Sequence, residues 1–267
     1  MAKYLPAIHN EIDSSDTSIN LLLGFSRYIF NGFKLNNIQM TGDWYLNDIE
    51  ESMDYLASFL RSNNIKNVNI IGTSKSNTGA FLFTNNLANL FPEIQFRVFA
   101  FSSYTTIEKS FYEENGLIGF IPSSLHKVWN DPEIYTPEHI ARSDAKTLEN
   151  RKNISLFLLY PELSRGGEPE LARRVEGDNI THIPMKLRFH SIIFPFWKKL
   201  LPGKKIELFE GQVKELPVAV FSYLQAMQAH SYPLNLYSML TETQQFIDEL
   251  AHFDRLYQET SRVDAKS

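Results

Sequence analysis

The chain has 267 residues, a formal net charge of −5, 43% hydrophobic residues and no cysteine. This apolar fraction is enough to form a buried core, which excludes wholesale disorder. The lack of cysteine excludes disulfides, thiolate metal sites and a cysteine nucleophile. The net negative charge opposes general nucleic-acid binding, which needs clustered Lys and Arg. A globular protein remains, with one large domain or two small ones.

The first 18 residues are polar and lack the basic and apolar regions of a secretion signal. The sequence holds no run of about 20 apolar residues, so it predicts no membrane span. We therefore expect a cytoplasmic protein. We also expect no permanently bound cofactor and no metal site.

Strand-like and helix-like segments alternate along the first part of the chain. Buried strands are predicted at 19–24, 37–40, 68–72 and 96–101, with helices from about 49 to 60 and from 79 to 90. Such alternation is typical of a parallel sheet with helices on both faces. The sequence therefore predicts an α/β fold.

Residues 108–150 break this alternation, because Gly, Pro and aromatic residues replace the regular apolar spacing. They predict an insertion of short helices and loops. Further strands are predicted at 154–160 and 180–189, with a helix at 168–176 between them. Pro184 indicates that the second of these strands lies at an edge of the sheet. Residues 192–200 are helix-like. We expect a first domain over 1–212 and a helical extension over 213–267, packed on the same domain.

The most specific motif is Gly72-Thr73-Ser74-Lys75-Ser76, which lies between a predicted strand and a predicted helix. In this context Gly-x-Ser-x-Gly is the nucleophile elbow of α/β-hydrolases, a strained turn that exposes the serine above the sheet. Only small residues fit beside that serine. Gly72 and Ser76 are small, although Ser76 replaces the usual glycine. The motif predicts Ser74 as a nucleophile and the Lys75 backbone N–H as an oxyanion donor.

The same stretch allows two other interpretations. An ordinary strand-to-helix turn would use Ser74 or Ser76 as a helix N-cap. A phosphate-binding loop would need a glycine before Lys75 and another upstream, and both are missing. The nucleophile elbow fits the preceding apolar strand and the small Gly79-Ala80 pair best.

A serine nucleophile needs a base and an orienting acid, and in this fold the acid follows the serine and precedes the histidine. Glu162 is the first acid after the predicted strand 154–160, so it is the expected partner. Glu168, Glu170 and Asp178 are alternatives, although the first two are predicted to begin the next helix.

The base is expected after the last strand of the sheet. His190 directly follows the predicted strand 180–189, whereas His182 falls early in it, so His190 is the predicted base. The loop that follows the first strand is predicted to supply a second oxyanion donor, from the backbone amide of Phe25 or Ser26.

The sequence resembles a group of bacterial capsule polysaccharide O-acetyltransferases of the α/β-hydrolase type. The matching stretches are 21–26, 42–48 and 72–80, and Lys75 directly after the nucleophile is the most particular shared feature. The resemblance spans roughly residues 17–200. The sequences Tyr160-Pro161-Glu162 and Arg188-Phe189-His190 depart from the family's pattern at the acid and the histidine.

The resemblance implies that the first domain transfers an acetyl group from acetyl-CoA, as co-substrate, to a saccharide hydroxyl through an acetyl-Ser74 intermediate. His190 would act as base and Glu162 would orient it, with the insertion covering the acceptor. A carboxylesterase of the same fold is the nearest alternative, since water would then replace the sugar hydroxyl. A binding or assembly protein that has lost activity is the alternative from another class.

Overall fold

The computed structural model describes residues 7–8, 17–23, 37–40, 44–46, 49–190, 192–196, 200–209 and 212–264. The strands in these ranges are β1 (Ala7–Ile8), β2 (Ser18–Leu23), β3 (Asn37–Met40), β4 (Asn67–Thr73), β5 (Gln95–Phe101), β6 (Ile154–Pro161), β7 (Ile180–Met185), β8 (Leu200–Leu201), β9 (Lys205–Phe209) and β10 (Gln212–Glu215). The helices are α1 (Ile49–Ser62), α2 (Ser76–Leu90), α3 (Lys109–Glu114), α4 (Ser123–Trp129), α5 (Pro137–Ser143), α6 (Glu168–Arg173), α7 (Val218–Gln228), α8 (Leu236–Thr241) and α9 (Thr243–Asp264).

The main sheet has the strand order β1-β3-β2-β4-β5-β6-β7. Its neighbouring strands are parallel except for β1, which pairs with β3 in the antiparallel direction. Helices α1, α2 and α6 connect parallel strands, as the alternation of the sequence requires. The predicted α/β fold is therefore confirmed. Strand β7, which carries Pro184, stands at one end of the strand order as predicted.

Each central strand divides its side chains between two hydrophobic cores, because successive residues of a strand point to opposite faces of the sheet. On β5, Val98 belongs to the core beneath α1, α2 and the insertion. Phe99 and Phe101 belong to the core beneath the C-terminal helices. Both faces of the sheet are thus covered. In such sheets the functional residues lie on the loops at the carboxyl ends of the strands.

The insertion predicted over 108–150 consists of α3, α4, α5 and two 3₁₀ turns. It is attached to α6 by an ion pair in which the Arg174 guanidinium contacts both carboxylate oxygens of Asp144, each at 2.9 Å. The Thr105 hydroxyl donates to the Leu171 carbonyl oxygen of α6 at 2.6 Å. These contacts hold α6 between the insertion and the sheet.

Three predictions for the last third of the chain are wrong. Strand β7 ends at Met185, not at 189, and the residues after 190 form a 3₁₀ turn over Phe194–Phe196 instead of a helix. Strands β8, β9 and β10 then form a small antiparallel sheet, so the helices begin at Val218 and not at Val213. Pro202-Gly203 turns the chain between β8 and β9, where Gly203 has a φ of +76°. A Pro-Gly pair between short apolar runs is the turn signal that indicates this hairpin.

The C-terminal helices cover the second face of the sheet. Their apolar side chains, including Leu224 of α7 and Phe246 of α9, share a core with Phe101 of β5. Arg97 of β5 adds a polar attachment, because its guanidinium donates to the Leu240 carbonyl oxygen at 3.0 Å. In the described part of the chain, every helix is too short or too polar to cross a bilayer.

Candidate active site

The turn between β4 and α2 places Ser74 at the carboxyl edge of the sheet. Ser74 has a φ of +53°, a left-handed conformation that is uncommon for residues other than glycine. Its backbone N–H donates to the Phe101 carbonyl oxygen of β5 at 2.8 Å. A sharp turn with a serine at positive φ between a strand and a helix is the geometry that the Gly-x-Ser motif predicts.

Two neighbouring residues explain why the chain accepts this turn. Asn77 is fully buried, and its amide nitrogen donates to the Ser74 carbonyl oxygen at 3.1 Å and to the Phe101 carbonyl oxygen at 2.9 Å. A Cβ atom on Gly72 would lie 2.4 Å from the Asn77 side-chain oxygen. Gly72 is therefore required for the close approach of Asn77, which holds the turn closed.

Ser76, which replaces the usual glycine of the motif, has a structural role. Its hydroxyl oxygen accepts from the Thr73 backbone N–H at 2.9 Å. Its proton has two carbonyl acceptors within hydrogen-bond distance, that of Leu23 at 2.8 Å and that of Thr73 at 2.7 Å. The cap position of α2 is Lys75, and its side chain makes no cap hydrogen bond. The buried Ser76 hydroxyl thus joins the end of β2 to the turn, and the N-cap interpretation is wrong.

We expect Ser76→Ala to lower the free energy of unfolding by about 1–3 kcal/mol, because it leaves the Thr73 N–H without its acceptor and removes the hydroxyl donor from beside the Leu23 and Thr73 carbonyls in a buried site. Urea unfolding of the wild type and the variant measures this loss. Thr84→Ser is the control, since it keeps the buried hydroxyl that donates to the Ala80 carbonyl oxygen. Equal stability of Ser76→Ala and the wild type would contradict the assignment.

The structure brings Ser74 and His190 together. The His190 Nε2 atom lies 2.7 Å from the Ser74 hydroxyl oxygen, and the Nδ1 atom lies 2.8 Å from a carboxylate oxygen of Glu168. An ionised carboxylate only accepts hydrogen bonds, so Nδ1 carries the proton in the neutral imidazole. Nε2 is then an acceptor for the Ser74 O–H, which is the arrangement that a general base requires.

The predicted acid, Glu162, is wrong for this position, because Glu168 contacts His190 instead. The backbone N–H of Glu162 donates to the Met185 carbonyl oxygen at 2.8 Å, which continues the pairing of β6 with β7. Its carboxylate forms an ion pair with Lys186. The chain turns only after this pairing ends, so the first residue of α6, not the first acid after the strand, reaches His190.

Glu168 is held by a compact loop. The Ser164 hydroxyl donates to its second carboxylate oxygen at 2.6 Å. A Cβ atom on Gly166 would lie 2.6 Å from that oxygen, and Gly167 has a φ of +85°. The Gly166-Gly167 pair before Glu168 is a sequence signal for this loop that the prediction of Glu162 did not use, since two glycines let the backbone wrap around a carboxylate.

Burial raises the pKa of Glu168, but hydrogen bonds from His190 and Ser164 lower it by more, so the net pKa is below its ordinary value. The Glu168 side chain is only 8% exposed, whereas that of His190 is 38% exposed. The carboxylate therefore stays ionised in a nearly dry position behind the imidazole.

This lowered pKa makes folding stability depend on pH. Ionised Glu168 stabilises the folded state fully above the carboxyl's unfolded pKa of about 4.3, and this stabilisation is lost as pH falls through the lower folded pKa. We expect the difference in unfolding free energy between the wild type and Glu168→Gln to be constant near neutral pH and to shrink below about pH 4.3. Urea unfolding at several pH values measures it, and a difference that grows in acid would contradict the lowered pKa.

The residues beside His190 are also ordered by packing. The Tyr104 ring centroid lies 6.0 Å from that of His190 and 5.5 Å from that of Trp44. Burial, and then the negative charge of Glu168, raises the pKa of Tyr104 to about 12, so its hydroxyl is neutral. Residues 186–190 form the loop that follows β7 and ends at His190. At the start of this loop, the Lys186 backbone N–H donates to buried Asp254 of α9 at 2.9 Å.

The predicted oxyanion donors are only partly within the described residues. Lys75 directly follows Ser74 and begins the first turn of α2. Burial lowers the pKa of its ammonium group. Phe25 and Ser26, the predicted second donor, lie outside the described residues.

The sequence matches no protein-family model and no curated protein. Among solved structures the chain is similar to an esterase of Pyrobaculum calidifontis, with 8% identity and a TM-score of 0.44 over 66% of this chain and 69% of that one. It is also similar to an α/β hydrolase from a sediment metagenome of the Mar Chica lagoon, with 14% identity and a TM-score of 0.39 over 72% and 89%. An esterase of Pyrococcus furiosus has 14% identity and a TM-score of 0.38 over 72% and 84%.

These similarities identify no specific family. The chain's own strand order, its helices on both faces and the positive φ of Ser74 between β4 and α2 are those of an α/β-hydrolase-type fold. The predicted fold class is confirmed on these features.

Proposed function

We propose that the chain is a serine esterase in which Ser74, His190 and Glu168 form the catalytic triad. The observation that carries this proposal is the position of His190, with Nε2 at 2.7 Å from the Ser74 hydroxyl and Nδ1 at 2.8 Å from Glu168. A nucleophile, a base and an orienting acid in one hydrogen-bonded row suit acyl transfer through a covalent acyl-serine. This arrangement favours an enzyme over a binding protein that has lost activity.

In the first half of the reaction, the Ser74 oxygen attacks the carbonyl carbon of an ester, and its proton passes to His190 Nε2. The imidazolium that forms keeps its Nδ1–H bond to Glu168, whose negative charge stabilises it. The carbonyl oxygen becomes an oxyanion, for which the backbone amides of Lys75 and of Phe25 or Ser26 are the proposed donors. His190 then gives the proton to the leaving alkoxide, which departs as an alcohol.

In the second half, water attacks the acyl-Ser74 carbonyl carbon and gives its proton to His190. The tetrahedral intermediate collapses, the acid is released, and the proton returns to the Ser74 oxygen. A side chain of His190 that is more than one-third exposed leaves solvent access to this step. Water as acceptor is therefore the simpler assignment.

Transfer of an acetyl group from acetyl-CoA to a saccharide hydroxyl is the second candidate. It uses the same acyl-Ser74, with the sugar hydroxyl in place of water, and CoA in place of the alcohol. The resemblance around Ser74-Lys75 to capsule polysaccharide O-acetyltransferases favours it. This second proposal includes acetyl-CoA as the acetyl donor. It also includes a cytoplasmic location for the protein, where acetyl-CoA would be supplied.

One experiment separates the two candidates. The protein is incubated with p-nitrophenyl acetate and, separately, with acetyl-CoA, each with and without a mixture of oligosaccharides. Ester cleavage at a rate independent of the saccharide supports the esterase. Release of CoA only when saccharide is present, with acetate recovered on the sugar, supports the transferase. Failure of a fluorophosphonate probe to label Ser74, together with no turnover of either donor, contradicts both.

A further inference from the structure

We propose that Ser102 is a positioning residue, which sets His190 against Ser74 by hydrogen-bonding the histidine's backbone. The Ser102 hydroxyl donates to the His190 carbonyl oxygen. Ser102 is only 1% exposed, and its hydrogen bond to His190 is partly buried. The inference rests on the proposed function of Ser74 and His190, and it adds a residue that the elbow and triad patterns do not contain.

Ser102 and the nucleophile occupy neighbouring positions at the carboxyl edge of the sheet. Thr73 of β4 pairs with Phe101 of β5, so the next residues, Ser74 and Ser102, leave the two strands side by side. Both have left-handed backbones, with φ of +53° at Ser74 and +45° at Ser102. Non-glycine residues keep such conformations only where the surrounding structure holds them, and they cluster at functional sites.

The backbone of Ser102 is held on its far side by β6, because its N–H donates to the Leu159 carbonyl oxygen at 2.9 Å. With the backbone fixed there, the side-chain hydroxyl donates to the His190 carbonyl oxygen. The His190 carbonyl oxygen also accepts the Ile192 N–H at 2.8 Å, so this peptide group is fixed from two directions.

Residues Phe101 and Ser102 therefore hold both reacting groups. The Phe101 carbonyl oxygen accepts the Ser74 N–H at 2.8 Å, and the Ser102 hydroxyl binds the His190 backbone. Two residues later, the Tyr104 ring packs beside the imidazole. A single short segment at the end of β5 thus defines where the nucleophile and the base lie relative to each other. Loss of the Ser102 hydroxyl should move His190 without touching Ser74.

The test compares Ser102→Ala and Ser102→Gly with a matched control. Ser143→Ala is the control, because Ser143 of α5 is fully buried and its hydroxyl donates to the His139 carbonyl oxygen of the same helix at 2.7 Å. Glycine adopts a φ of +45° without a Cβ clash, so Ser102→Gly should unfold at a temperature no lower than Ser102→Ala. Both Ser102 variants lack the hydroxyl, but they differ in backbone strain. Comparing them therefore distinguishes the effect of the missing hydroxyl from the effect of lower stability.

We expect both Ser102 variants to lower kcat for p-nitrophenyl acetate by about 10²-fold, the effect of misplacing a catalytic group by about 1 Å. KM should change little, since the bond acts on the base and not on the bound ester. Ser143→Ala should keep the wild-type kcat. Wild-type kcat in a folded Ser102→Gly protein would overturn the proposal.

A second measurement does not depend on turnover, so it separates this inference from the proposed function. Histidine labelled with ¹⁵N reports which ring nitrogen carries the proton, and a His190→Asn sample assigns the signals. Wild type and Ser143→Ala should show the Nδ1–H form of His190, held by Glu168. In Ser102→Gly we expect the ¹⁵N shifts of His190 to move towards those of a free imidazole, in which both tautomers are populated. Unchanged ¹⁵N shifts in Ser102→Gly would overturn the inference even if the wild type cleaves no ester.

Discussion

We expect Ser74→Ala to lower kcat/KM for an activated ester by about 10⁴-fold or more, because no other group can form the acyl-enzyme. The melting temperature should stay close to that of the wild type, since alanine at this turn loses only a hydroxyl at the edge of the site. Steady-state kinetics and thermal unfolding of the purified proteins measure the two quantities. Fluorophosphonate labelling should disappear in the variant.

His190→Ala tests whether Ser74 acts as part of a unit. It should lose about as much activity as Ser74→Ala, and the double variant should be no worse than either single one, because members of one catalytic unit are non-additive. Additive losses, or residual turnover in Ser74→Ala above what oxyanion stabilisation alone supplies, would exclude Ser74 as the nucleophile.

The second large effect is expected at Glu168. Glu168→Gln keeps the shape of the side chain but removes the charge that stabilises an imidazolium, and its amide can favour the wrong tautomer of His190. We expect kcat to fall by about 10³–10⁴-fold with little change in KM, because the acid acts in the transition state and not on the bound substrate. Steady-state kinetics near neutral pH measure this fall.

Glu162→Gln is the matched control, since it makes the same chemical change at the acid that follows β6. Its partner is Lys186, and a half-exposed ion pair of this kind contributes about 0–1 kcal/mol to stability. We expect wild-type turnover in Glu162→Gln. The reverse pattern, with an active Glu168→Gln and an inactive Glu162→Gln, would show that Glu162, not Glu168, orients His190 in the working protein.

The fold class and the position of Ser74 follow from local patterns. Apolar runs of strand length, separated by helical periodicity, predicted β2, β4, β5 and β6, because a parallel strand must be apolar on both faces. Gly72 and Ser74 predicted the elbow, since the steric limits of that turn depend only on adjacent residues. The position of His190 after the last parallel strand followed from chain order.

The identity of the acid did not follow from local patterns. Glu162 and Glu168 are both carboxylates close behind β6, and sequence spacing alone favours the first. The choice depends on how far β6 stays paired with β7, which is a contact with a residue more than twenty positions away. The small sheet of β8, β9 and β10 was missed for a related reason, because its strands are short and only their mutual pairing stabilises them.

The sequence by itself determined that this chain forms a parallel α/β sheet with a serine on a tight turn above it. Those features depend on side-chain periodicity and on backbone sterics within a few residues. Only the tertiary structure decided that Glu168 faces His190 and that Ser102 holds the histidine's backbone. Hydrogen bonds of this kind join segments distant in the chain, and their partners are set by the packing of whole strands and loops.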